Sequence, residues 1–228
     1  MERLAREVQI STLLRGQRHE AHLTELSGLY TAQDAVSHAV VGQCAEAQRE
    51  ATAATRQSRD NFTLESAGRA LAWCGAAADA SELSGELAQR FPDAILTTRV
   101  ILPVMAAATA IRNGRPARGL ELLEPVRPFD HAQVAEFWPA YLRGVAQLEL
   151  GHHSEAADEF RSIVDHRGEL IDAPLYPLAH LGLARALAAG DPGGARQAYL
   201  AFFKLWKDAD PSLMPLMEAR REFDRLRP

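Results

Sequence analysis

Cysteine, aromatic residues and long apolar runs are all scarce in this 228-residue chain. Two cysteines, Cys44 and Cys74, cannot make a metal site alone and do not form a disulfide framework, so both are expected as small, half-buried helix residues. The most apolar run, "VILPVMAAATAI" at 100–111, has 12 residues where a bilayer needs about 20, and the charge-rich first residues have no signal-peptide core. Membrane insertion is therefore not expected. With 25 basic and 30 acidic residues scattered along the chain and a net charge of −5, no basic face gathers phosphates, which excludes a dedicated nucleic-acid binder. The expected location is cytoplasmic, or a soluble part of a membrane-anchored parent.

Alternating β-branched segments are also missing, while Ala, Leu, Glu, Arg and Gln fill long stretches with helical apolar spacing. The fold class is all-α. Gly, Pro, Asn and Asp break the pattern at "VVGQCAEA", "WCGAAADA", "RNGRPARG", "LGHHSEA" and "AAGDPGGA", among others. Five of these breaks carry Gly42, Gly75, Gly114, Gly151 and Gly190, at intervals of 33, 39, 37 and 39 residues. A period in the thirties is the mark of a helical-repeat array. Five residues after the glycines stand Ala47, Ala80, Gly119, Ala156 and Ala195, small enough to let a second helix lie close to the first. Gly68 and Gly144 fall where two first helices would touch, and Phe160 and Tyr199 are bulky residues that fill the gap to the next hairpin.

This pattern resembles the tetratricopeptide repeat, of about 34 residues. It implies a right-handed α-α superhelix of five to six hairpins, with repeats at 19–58, 61–92, 95–127, 132–168 and 175–210 and a capping helix at 212–227. The stretches "PAYLRGVAQLELGHHSEAADEFRSIVDHRG", "PLAHLGLARALAAGD" and "ARQAYLAFFKLWKDADP" are similar to the C-terminal repeat region of bacterial, especially acidobacterial, eukaryote-like serine/threonine kinases and of some winged-helix transcription regulators. The kinase machinery is absent. No Gly-rich phosphate loop, Val-Ala-Ile-Lys strand, Asp-Phe-Gly or Ala-Pro-Glu occurs, and "DHRG" at 165–168 has the wrong order for a catalytic loop.

Other polar constellations have plainer readings. "HEAH" spaces His19 and His22 by three residues, where a zinc-protease helix needs four and a third ligand. His152 and His153 read as turn residues, and Asp165, His166 and Arg167 as helix-end charges. No metal and no cofactor is expected. The terminal helix should present Glu218, Arg220, Arg221, Glu222, Asp224 and Arg225 to water as a cap, or serve instead to make a homodimer.

Candidate binding residues are those on first helices that would line a groove: Phe62, Glu65 and Arg69, then Trp138 and Tyr141, then His180 and Arg185. Aromatic and arginine side chains on adjacent repeats are the usual anchors of peptide recognition. The expected function is a non-catalytic protein-interaction module for a protein or peptide partner, recruiting substrates for a signalling protein. The alternative is a small-molecule or lipid sensor with its ligand in the groove.

Overall fold

Four turns decide how the chain folds back on itself. In the computed structural model, which describes residues 22–169 and 174–226, Gly42, Gly75, Gly114 and Gly151 have φ of 86°, 77°, 69° and 76°. Each follows a helix in the left-handed conformation that a side chain would make costly. The next residue's N–H then returns to a carbonyl in the last turn: Gln43 to His38, Ala76 to Leu71, Arg115 to Ala110 and His152 to Gln147, all at 2.9 Å. Gly190 departs from the series. There the Asp191 N–H bonds the Leu187 carbonyl at 2.8 Å, and the Asp191 carboxylate accepts from the Gly194 N–H at 2.9 Å to start the following helix.

These turns join eleven α-helices among the described residues, with no strand, so the all-α expectation holds. They are α1 (22–40), α2 (Cys44–Gln57), α3 (Asn61–Trp73), α4 (Ala77–Arg90), α5 (Leu102–Arg112), α6 (Pro116–Leu123), α7 (Trp138–Glu149), α8 (His153–Asp165), α9 (Leu175–Leu187), α10 (Pro192–Leu205) and α11 (Met214–Arg225). A wide π-turn at Thr97–Ile101 leads into α5, where Pro103 has no N–H to continue a regular ladder. From α2 to α11 each helix packs on the next in sequence, and α3, α5, α7 and α9 also pack successively on one another.

The periodic small residues are where the helices meet. Ala47, Ala80, Ala156 and Ala195 are buried, and a Cβ on Gly119 would stand 2.6 Å from Ile111. Phe160 of α8 reaches between two glycines: a Cβ on Gly144 of α7 would lie 2.7 Å from its ring, and one on Gly182 of α9 2.5 Å away. Gly68 holds the same relation to Met105. Tyr199 packs edge-on against Phe223 of α11, with ring centroids 6.0 Å apart.

Two expectations need correction. Cys44, at the start of α2, and Cys74, just after α3, are joined in a disulfide with their Cα atoms 5.3 Å apart. Spacing in sequence carries no sign of this, because the connection between α2 and α3 is what sends α3 back along α2 and brings its end to the start of α2. Glu218 and Glu222 stay part-exposed but do more than face water: both reach the Arg185 guanidinium, at 2.9 and 3.0 Å. No helix among the described residues is long and apolar enough to cross a membrane.

Gly144→Ala and Gly182→Ala should each lower unfolding free energy by about 1–2 kcal/mol in urea titrations, because the clash with Phe160 exceeds the helix propensity gained. Gly85→Ala in α4, where a Cβ meets nothing within 4 Å, should instead gain about 0.5–1 kcal/mol. Replacing both cysteines by serine should cost about 3–4 kcal/mol, as expected for opening a loop of 30 residues' separation.

Candidate functional site

The sequence-predicted residues divide between two places, separated by a row of rings in edge-to-face and tilted contact. Arg69 lies over the Trp138 ring at 5.9 Å, Trp138 meets Trp73 at 5.9 Å, Trp73 meets Tyr141 at 5.8 Å, and Tyr141 meets Phe160 at 5.8 Å. Trp138 is 1% exposed and sits inside this row, so it is a packing residue and not the groove anchor expected. His180 is brought to neither place. It stands edge-on to Tyr176 at 5.1 Å, and burial, with Arg167 nearby, lowers its pKa.

Phe62, Glu65 and Arg69 line an open cleft of about 420 Å³ with Leu29, Leu96 and Val134. Helix α3 projects all three because Asp60 caps its start, accepting from the Phe62 and Thr63 N–H groups at 2.9 and 3.1 Å. Phe62 is 56% exposed and Leu96 46%, so the cleft has an apolar lip. Its floor is ionic and desolvated. Thr97 donates to the Glu65 carboxylate at 2.8 Å, yet burial pushes that carboxyl above the usual range, against the pull of Arg69. Arg69 Nη1 lies 2.6 Å from Glu136 Oε2 but out of line for a hydrogen bond, which leaves its Nε and Nη1 buried without hydrogen-bond partners among the described residues. Glu136 and Phe137 hold this geometry in consecutive left-handed conformations, φ 46° and 64°.

Tyr141 and Arg185 line a second cavity of about 340 Å³, on the side of the glycine turns. Four of its walls share one register: Val40, Trp73, Arg112 and Glu149 each stand two residues before Gly42, Gly75, Gly114 and Gly151. The left-handed turns bring these last-turn positions together, and Leu178, Leu181 and Gly182 of α9 continue the wall. On the α11 side Met214 approaches the α1–α2 turn so closely that a Cβ on Gly42 would fall 2.5 Å from its terminal methyl. None of Val40, Trp73, Arg112 or Glu149 is evident as a site residue until the repeat register is applied to the last turn of each first helix.

The polar groups of this cavity are unequally committed. Arg185 gives Nε to Glu222 at 3.0 Å and Nη2 to Glu218 at 2.9 Å, and the Tyr199 hydroxyl donates to Glu222 at 2.8 Å. Tyr141 is 8% exposed, its hydroxyl makes no hydrogen bond among the described residues, and burial pushes its pKa up to about 12. Arg112 lies over the Trp73 ring at 5.6 Å and has no ion pair among the described residues. Burial raises the Glu149 carboxyl against the attraction of Arg112.

No protein-family model, curated protein or solved structure matches this chain.

Because the folded Glu65 carboxyl has a raised pKa, the unfolded chain ionises first as pH rises, and stability falls on passing from the unfolded value toward the folded one. Glu65→Gln, which keeps an acceptor for Thr97, should remove that fall. Denaturant titrations of the two proteins on either side of this window should show the variant gaining stability relative to the parent at the higher pH.

Proposed function

We propose that this chain is a non-catalytic interaction module, a right-handed α-solenoid of tetratricopeptide-like hairpins that holds a protein segment in the Phe62 cleft. The packing of successive odd-numbered helices on one another, with each even-numbered helix between two of them, supports the solenoid reading. So do the four turns of one hydrogen-bond pattern.

The observation that carries the binding site is Phe62: a large aromatic left 56% exposed beside Leu96, above the buried Glu65 and Arg69, with the part-exposed Glu136 against Arg69. An exposed apolar lip around buried charge is the arrangement that anchors one side chain and orients the backbone around it. The resemblance in the C-terminal half sets such a module in one protein with a kinase or winged-helix domain. The Cys44–Cys74 bond favours an oxidising compartment over the cytoplasm, as for a soluble part of a membrane-anchored parent.

Selection of displayed random peptides against the purified chain tests this. Peptides should be enriched that bind the parent and lose about tenfold or more in affinity to Phe62→Ala. The same peptides should bind Tyr30→Ala, another exposed aromatic that does not line the cleft, as they bind the parent. Failure to enrich any peptide, or equal loss in both variants, would remove the reading.

A further inference from the structure

We propose that the cavity between the glycine turns and α11 binds a small free carboxylic acid with an apolar body. The inference is independent of the Phe62 cleft and of the protein partner proposed there.

Size comes first. About 340 Å³ is at the lower end of the range for small-molecule sites, and it suits a free molecule better than a chain that must also leave the cavity. The walls supply the apolar part: Val40, Trp73, Val145, Leu178, Leu181 and Met214. These side chains come from four helices, α3, α7, α9 and α11, and from the turn-side end of α1, so the ligand would be held by several elements and not laid against one face.

The uncommitted polar groups define the head. Tyr141 is more than nine-tenths buried, yet its hydroxyl has no partner among the described residues. That oxygen is not among the buried polar atoms left without a partner, so it is open to the cavity that Tyr141 lines, where it can donate to a ligand acceptor. Because burial holds the phenol protonated to about pH 12, it acts as a donor at neutral pH. Arg112 is the second uncommitted group, an exposed guanidinium set over Trp73, whose other neighbour in the ring row is Tyr141. One neutral donor inside and one cation at the rim fit an anion whose charge remains at the mouth while its body goes inward. Arg185 cannot take that part, since Glu218 and Glu222 already engage it. Glu149 at the rim feels the Arg112 charge, which opposes the rise that burial gives its carboxyl, but the two form no ion pair among the described residues.

The probe is octanoate, with octan-1-ol as its uncharged counterpart and a short leucine-ending peptide as a second carriage of the same carboxylate. Calorimetric titration of the full chain should give saturable one-to-one binding of octanoate below its micellar range, with octanol at least tenfold weaker. Arg112→Gln should weaken octanoate about tenfold and Tyr141→Phe about fivefold, the size of one charged and one neutral hydrogen bond. Val145→Trp, which fills the cavity, should abolish binding. Should that variant fail to fold, Arg112→Gln alters only an exposed side chain and keeps the test readable. The proposal is overturned by equal binding of octanol, by unchanged affinity in Arg112→Gln and Tyr141→Phe, by no saturable heat at millimolar octanoate, or by tighter binding of the peptide than of octanoate.

Discussion

The fit of one phenylalanine ring between two glycines is the contact on which the C-terminal half of this protein depends. Phe160 fills the space that Gly144 and Gly182 leave, and it therefore sets the separation of α7, α8 and α9 together. A side chain on either glycine would push a helix outward. The ring also abuts Tyr141, so the same contact that spaces the helices fixes the wall of the turn-side cavity. Packing and site are one arrangement because a close-packed interior transmits the position of one ring to the next.

Four arginines on the odd-numbered helices show how differently a charge can be placed. Arg143 of α7 is 1% exposed and fully answered, by Asp130 at 2.6 Å and Glu159 at 2.8 Å, and it ties the irregular connection before α7 to α8. Arg185 of α9 is answered by two carboxylates of α11 and so holds that helix against the body. Arg69 of α3 is buried but incompletely answered, with two nitrogens lacking hydrogen bonds. Arg112 of α5 has only an aromatic face. Arg143 and Arg185 are answered and act as structural ties, although Arg185 also lines the turn-side cavity; Arg69 and Arg112, left short of partners, border the two cavities described above.

The ring row from Arg69 through Trp138 and Trp73 to Tyr141 separates the two sites and supports both. It explains why residues chosen as one groove come apart in the structure. Trp138 was expected at a surface because aromatic residues near a helix start are common binding anchors. Its environment is instead formed by Trp73 and Arg69, which lie about 70 residues earlier in the chain and whose proximity no local pattern reveals.

By itself the sequence determined the helices, their turns and their close contacts. Apolar spacing, glycines at a period in the thirties and small residues five positions later are local features, and each acts through backbone conformation or side-chain volume at its own position. Phe62, Glu65 and Arg69 were also legible, because they lie within two turns of one helix. Only the tertiary structure decided the disulfide, the pairing of Glu218 and Glu222 with Arg185, the burial of Trp138 and the meeting of Val40, Trp73, Arg112 and Glu149 at one cavity. These depend on which helices meet across long separations. A repeat fixes the register of each unit, but the neighbours that unit acquires are set by how the units stack.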